Sequence, residues 1–341
     1  MPHDEESIPA LNDLPLPVEK RFTSAQLVRC PSCTRANPPT RMNCMYCGVV
    51  LPVTEAAATL RKPTLRPLED WEQGYNIILV KGGADRASRE SLGEMASLLR
   101  LDPENLRLIF MRGGMAPLAR AESMEEAVMI EERLRSFRLE TVVVADAALA
   151  VDSMPCKRIR SLELLEEGVV GREPGAESRL PTRWDEILLI VAGRLFVKRV
   201  EVDDLKALSA KPDAAQAREL TGDEAVLDVY TRKQDGGWRI LSAGFDFSCL
   251  RERKGLLASG NFRLLTELLR QRAPQADFDD SYLHLRQALT VVWPMVQRSE
   301  GGGFRRAHMG KYTAGGQTVS DNETQFTRYS RLLHNFKLRG L

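Results

Sequence analysis

Apolar and polar positions alternate with different regularity along the chain, and that difference marks out its parts. The run Tyr75-Asn76-Ile77-Ile78-Leu79-Val80 predicts a short buried strand closed by Gly82-Gly83. Leu92, Met95, Ala96 and Leu99 then recur at helical spacing. Asp102 before Pro103 predicts a capped helix start, with Leu106, Ile109 and Phe110 turned inward. A weak strand is expected at Ala116 to Arg120. Ser123 and Glu126 form a capping-box pattern ahead of Ala127, Ile130, Leu134 and Phe137, and Thr141 to Ala145 is a further strand. The order is βααβαβ.

A second regime begins at Trp184. Ile187 to Val191 and Leu195 to Val202 are expected to pair across an Ala192-Gly193 turn. Val226 to Thr231 and Trp238 to Leu241 flank Asp235-Gly236-Gly237, a pattern that suits a tight hairpin. Asn261 reads as the cap of a helix carrying Phe262, Leu265, Leu268 and Leu269, and another helix is expected from about Asp279 to Val292. After Pro294 the glycine groups 301–303 and 315–316 predict a loose tail, with a short amphipathic helix through Phe326, Tyr329, Leu332 and Leu333.

The resulting division is a disordered lead over 1–26, a cysteine-rich module over 27–50 and a proline-stiffened linker over 51–73. A βααβαβ domain over 74–148, an interdomain segment over 149–182, a β domain with closing helices over 183–293 and a basic flexible tail over 294–341 follow. The fold class is α+β and multi-domain.

Charge narrows the partners. Lys and Arg number 48 against 47 Asp and Glu, so no global field draws the chain to nucleic acid or anionic lipid. The most apolar window, Ile187 to Val200, is broken by Arg194, Lys198 and Arg199, which predicts no membrane span. The acidic, proline-rich start predicts no secretory leader, and six cysteines, four of them clustered, favour a reducing compartment. A cytoplasmic protein is expected.

The firmest chemistry lies at Cys30, Cys33, Cys44 and Cys47, two Cys-x2-Cys pairs separated by ten residues. Zinc takes four such thiolates tetrahedrally, and a site with every position filled by sulfur leaves no place for a reactive water. One structural Zn²⁺ is therefore expected, its binding energy serving as folding energy for a segment too small to carry a core. The pattern Cys30-Pro31-Ser32-Cys33 with Asn37-Pro38, then Cys44 and Cys47, resembles short bacterial zinc ribbons and zinc fingers of the Ran-binding-protein type. Val28 stands where the second family carries tryptophan, and Thr34-Arg35 where its ubiquitin-binding members carry Thr-Phe. Its RNA-binding members use arginines and aromatics, which makes Arg35, Arg41 and Tyr46 candidate contacts.

Residues 75–146 resemble the C-terminal domain of the bacterial ribosomal stalk protein, a fold shared with the Clp-protease adaptor, through Tyr75 to Leu79 and Ala116-Pro117-Leu118 leading to Ser123-x-x-Glu126-Ala127. The resemblance implies a small partner-binding domain without catalysis. Residues 184–270 loosely resemble a pleckstrin-homology-type domain closed by the helix Asn261 to Arg270.

Signals for catalysis are scattered. His3, His284, His308 and His334 have no partner at catalytic or metal spacing. Asp223, Glu224, Asp228 and Lys233 hint at a metal-dependent hydrolase, but the Glu-x-Lys strand such a site needs is missing, and Asp228 reads as an outward, solvated residue. Cys249 reads as a buried free thiol. The tail has the one local charge bias, with Arg305, Arg306, Arg328 and Arg331 as candidate RNA contacts among interleaved aromatics. The leading reading is a non-enzymatic zinc-binding adaptor that acts through protein partners. An RNA-binding protein using the zinc module and tail is the alternative, and a hydrolase comes third.

Overall fold

The computed structural model describes residues 22–340 apart from 53, 55–64, 70, 82–88, 176–178, 207–215, 234–235 and 309–310, with side chains described outside 202–217 and 300–316. The chain forms two compact units, Met1–Lys62 and Pro63–Leu341. The expected lead over 1–26 lies mostly outside the described residues; its end, Ser24–Gln26, makes one 3-10 turn.

In the first unit, β1 (Val28–Arg29) pairs antiparallel with β2 (Ala36–Asn37). Its apolar interior is small: Val28, Cys30, Cys44 and Leu51. So little buried area cannot offset the ordering entropy of the segment, and something besides packing must hold it.

The second unit opens with the βααβαβ order. The expected linker ends early, because Leu65 and Leu68 are already buried. β3 (Tyr75–Lys81) lies between β4 (Ala116–Ala121) and β5 (Glu140–Ala145), antiparallel to both. Helices α1 (Arg89–Leu99), α2 (Pro103–Arg112) and α3 (Met124–Ser136) follow in place, and the short α4 (Asp146–Leu149) comes directly after β5. Asp102 accepts hydrogen bonds from the N–H groups of Glu104 and Asn105 at 2.9 and 3.3 Å, and Ser123 Oγ accepts from that of Glu126 at 3.2 Å, so each cap falls where its residue predicts.

Residues 76–79 of β3 are buried without alternation, as a strand covered on both faces must be. The second cover is the rest of the chain. One hydrophobic cluster runs from Leu65 through Ile77 and Ile130 to Tyr282, Trp293, Phe326 and Phe336. Trp293 Nε1 donates to Asn76 Oδ1 at 2.8 Å, and Asn76 Nδ2 donates to Asp146 Oδ1 at 2.8 Å. Arg120 closes this buried network, its Nε donating to Asp146 Oδ2 at 2.9 Å. The two globular domains expected on either side of residue 150 are thus one unit.

The expected interdomain segment is folded too. β6 (Lys157–Ile159) joins the large sheet, and β7 (Ser161–Leu164), β8 (Gly168–Arg172) and β9 (Arg179–Arg183) form a small antiparallel sheet. Among the described residues the large sheet runs in the order β14-β15-β10-β11-β12-β6, from β10 (Ile187–Lys206), β11 (Gln216–Thr231), β12 (Trp238–Leu241), β14 (Val296–His308) and β15 (Lys311–Asp321). It is mainly antiparallel, with β6 and the short β13 (Asp277–Asp279) added in parallel. On β10 and β11 successive residues feed opposite cores: Leu189, Val191 and Val226 face the first cluster, Ile190, Leu227 and Val229 a second with Trp184, Trp238 and Phe262. Helix α5 (Ala258–Arg272) covers this second face.

The Ala192-Gly193 turn does not exist. β10 runs straight through it, and Gly193 pairs with Val226. The glycine serves packing: a Cβ there would stand 2.7 Å from Cδ2 of Phe326 and 3.1 Å from Cδ1 of Tyr282. Gly193→Val is therefore expected to cost about 1–3 kcal/mol or more through overpacking, read as a lowered denaturation midpoint. The second expected hairpin is present, with Val226↔Leu241 and Val229↔Trp238 in register; Asp235 lies outside the described residues. Asn261 sits inside α5 and not at its cap, because its side chain is engaged with Gly255. The helix expected from Asp279 to Val292 contracts to α6 (Tyr282–Leu289). The flexible tail is also corrected. It holds β14, β15 and α7 (Glu323–Arg339), and α7 buries Phe326, Tyr329, Leu332 and Phe336.

Candidate metal centre

Each Cys-x2-Cys pair forms a knuckle with the same internal bonds. Cys30 N–H donates to Arg35 O at 3.0 Å and Thr34 N–H to Cys30 O at 3.0 Å. Cys44 N–H donates to Val49 O at 2.8 Å and Gly48 N–H to Cys44 O at 2.9 Å. The residue after each second cysteine takes positive φ, 58° at Thr34 and 75° at Gly48. Glycine reaches that region without steric cost, whereas Thr34 does so only because the knuckle over-determines it.

This repeat brings the four sulfurs together. Cys30 Sγ and Cys47 Sγ are 3.5 Å apart, as are those of Cys33 and Cys44, and all four lie within 4.8 Å of one another. A tetrahedron with Zn–S bonds of about 2.3 Å separates its sulfurs by roughly 3.8 Å, so this donor set fits. Cys30 and Cys44 are buried, Cys33 is half-buried and Cys47 is exposed.

The electrostatics call for a cation. The backbone N–H of Cys33, with that of Ser32, holds the Cys30 thiol below its ordinary range. Burial pushes Cys44 up, but N–H groups of Tyr46 and Cys47 and hydrogen bonds from Cys33 and Asn37 outweigh it and bring the thiol to about 6. The N–H of Arg35 favours the Cys33 thiolate, yet burial and hydrogen bonds to its three neighbours push it to about 12. Thiols so close share protons among themselves; a divalent ion displaces those protons and lets all four sulfurs ionise.

Asn37 is fully buried and ties the knuckles together. Its Nδ2 donates to Arg35 O at 2.9 Å and to Cys44 Sγ at 3.5 Å, while Oδ1 accepts from Met45 N–H at 2.9 Å. In the sequence it marks a resemblance; here it is a support for a ligand. Asn37→Ala is expected to lower metal affinity about 10–100-fold, measured by competition with a chromogenic chelator.

The other expected contacts are dispersed. Arg35 lies over the Tyr46 ring at 4.8 Å, and both, with Arg41, are exposed on the metal module. Arg331 is corrected: it is buried, lies over the Tyr230 ring at 5.4 Å and donates to Met154 O. Arg328 is half-buried on α7. Arg305 and Arg306 stand on β14, and their side chains lie outside the described residues.

The acidic positions do not converge on a shared cation site. Asp223 pairs with Arg194 at 2.9 Å and Arg286 at 3.1 Å, and Glu224 Oε1 accepts from Ala243 N–H at 2.6 Å. Lys233 Nζ lies 3.7 Å from Glu186. Asp228, expected in solvent, is wholly buried, because α7 covers the face that alternation assigns to water. Arg239 grips it through Nε and Nη2, each at 2.8 Å, and Ser330 Oγ donates to it at 2.7 Å. Their positions directly opposite in the β11–β12 register were the signal that could have found this pair. His334 is likewise buried, stacked on Tyr230 at 4.4 Å.

Compared with protein-family models, curated proteins and solved structures, the chain matches none. No helix among the described residues is long and apolar enough to cross a membrane.

Proposed function

We propose that the protein is a non-catalytic zinc-binding adaptor whose metal module presents a recognition surface to a protein partner. The observation that carries this reading is the pairing of a closed four-thiolate site with an exposed apolar rim on its second knuckle. Met45, Tyr46, Val49 and Val50 are each at least 40% exposed around ligands that are themselves held in place. A module of this size would hide such residues if packing alone shaped it; a metal frees them for a partner. Four thiolates at tetrahedral spacing suit Zn²⁺, which they would hold as a structural ion with no open position. Thiolate ligands persist in a reducing compartment, which supports a cytoplasmic location.

A second reading, RNA binding, draws on Arg35 stacked over Tyr46 beside Arg41. A base stacks on such a platform without sequence preference.

One experiment separates them. Elemental analysis of the purified chain is expected to give one zinc per molecule. Wild-type protein and the Met45→Ser/Tyr46→Ser variant are then used for capture from the native cytosol. A protein recovered by the wild type, lost with the variant and insensitive to ribonuclease supports the adaptor. Recovery that ribonuclease abolishes supports the RNA reading. Substoichiometric zinc, or identical recovery by both chains, rejects the proposal.

A further inference from the structure

The segment 251–259, running from the end of the 3-10 turn at Arg253 into the first residues of helix α5, is exposed throughout. At its tip Leu256 is 104% and Leu257 73% exposed, the most exposed pair of adjacent large apolar residues among those described. Isolated surface leucines are ordinary. These two differ because the backbone beneath them is fixed. Asn261, itself only 4% exposed, accepts from Gly255 N–H through Oδ1 at 2.6 Å and donates from Nδ2 to Gly255 O at 2.9 Å. Lys254 N–H donates to Arg251 O at 3.1 Å, and Arg251 turns the chain with a φ of 51°. The loop cannot fold its leucines inward without breaking this clamp.

The surroundings are basic. Residues 251–263 contain four Arg or Lys (Arg251, Arg253, Lys254 and Arg263) against one acid, Glu252, in a chain whose formal net charge is +1. Lys254 and Arg263 reach Asp246 and Glu267 at 3.9 and 4.0 Å, long exposed contacts that screen little of this charge.

We propose that this loop docks the protein on an anionic lipid surface, Leu256 and Leu257 entering below the headgroups while Arg251, Arg253 and Lys254 lie among them. The geometry favours lipid over a protein groove. A stable protein interface needs about 800 Å² from each partner, whereas two protruding leucines ringed by cations match a layered surface that is charged outside and apolar just beneath. Because the clamp already orders the loop, insertion costs little further entropy. This docking is independent of the metal module.

The test uses the full chain with phosphatidylcholine vesicles, with and without phosphatidylserine, in a sedimentation assay. Wild type is expected to bind the anionic vesicles about tenfold or more tightly than the neutral ones, and less as salt rises. Leu256→Asp/Leu257→Asp is expected to reduce that binding about tenfold or more with unchanged melting, since neither side chain is in a core. Leu256→Trp is expected to shift its emission to the blue on anionic vesicles. Wild type that stays in the supernatant at low salt overturns the proposal. So does binding that the leucine substitutions leave intact. If vesicles are ignored while the same substitutions abolish recovery of a cytosolic protein, the loop is a protein contact and the lipid assignment is wrong.

Discussion

Cys44→Ser is expected to release the metal and unfold the first unit while the second unit keeps its own melting transition. Structural zinc contributes about 10–16 kcal/mol in small thiolate modules, far beyond what the Val28, Cys30, Cys44 and Leu51 interior supplies. Serine preserves size and removes the thiolate, so the loss measures coordination and not packing. The check is metal content together with amide dispersion for residues 22–52. Chelation of the wild type should reproduce both changes, and retained dispersion after chelation would sink the idea that metal folds the unit. The pH dependence has a definite sign. Ions bind only deprotonated thiols, and with Cys33 pushed to about 12, binding releases protons and weakens as pH falls.

The second large effect is expected at Arg239→Ala. This substitution leaves Asp228 with no exposure and without the bidentate partner that balances its charge. Removing one member of such a pair costs about 3–5 kcal/mol, whereas replacing both with apolar residues of similar volume is often neutral or better. Asp228→Leu/Arg239→Met should therefore recover most of the stability lost by the single change. Denaturant midpoints of the two variants decide the matter; a loss below about 1 kcal/mol for Arg239→Ala would show the charge finding other relief.

Local signals were the ones the sequence carried well. Asp102-Pro103 and Ser123 each begin a helix where capping chemistry demands one, and the two cysteine pairs meet because each knuckle is closed by bonds within six residues. The readings that failed needed knowledge of what lies across the sheet. Gly193 looks like a turn residue until Phe326 is packed over it, and Asp228 looks solvated until α7 covers its face. Glycines at 315 and 316 suggested looseness, although β15 pairs there with β10 and β14. The unbroken apolar run at 77–80 predicts a buried strand, and its burial on both faces agrees, but the run does not say which later segment supplies the second cover.

The hydrogen bond between Trp293 and Asn76 joins residues 217 apart in the chain. At the usual pace of synthesis, about 5–20 residues per second, roughly 10–40 s separate the emergence of one from that of the other. For that interval the βααβαβ half has its strands and caps but not its outer cover, with a buried-type strand open to water. The nascent protein therefore carries this apolar strand for some time before the helices that cover it are made.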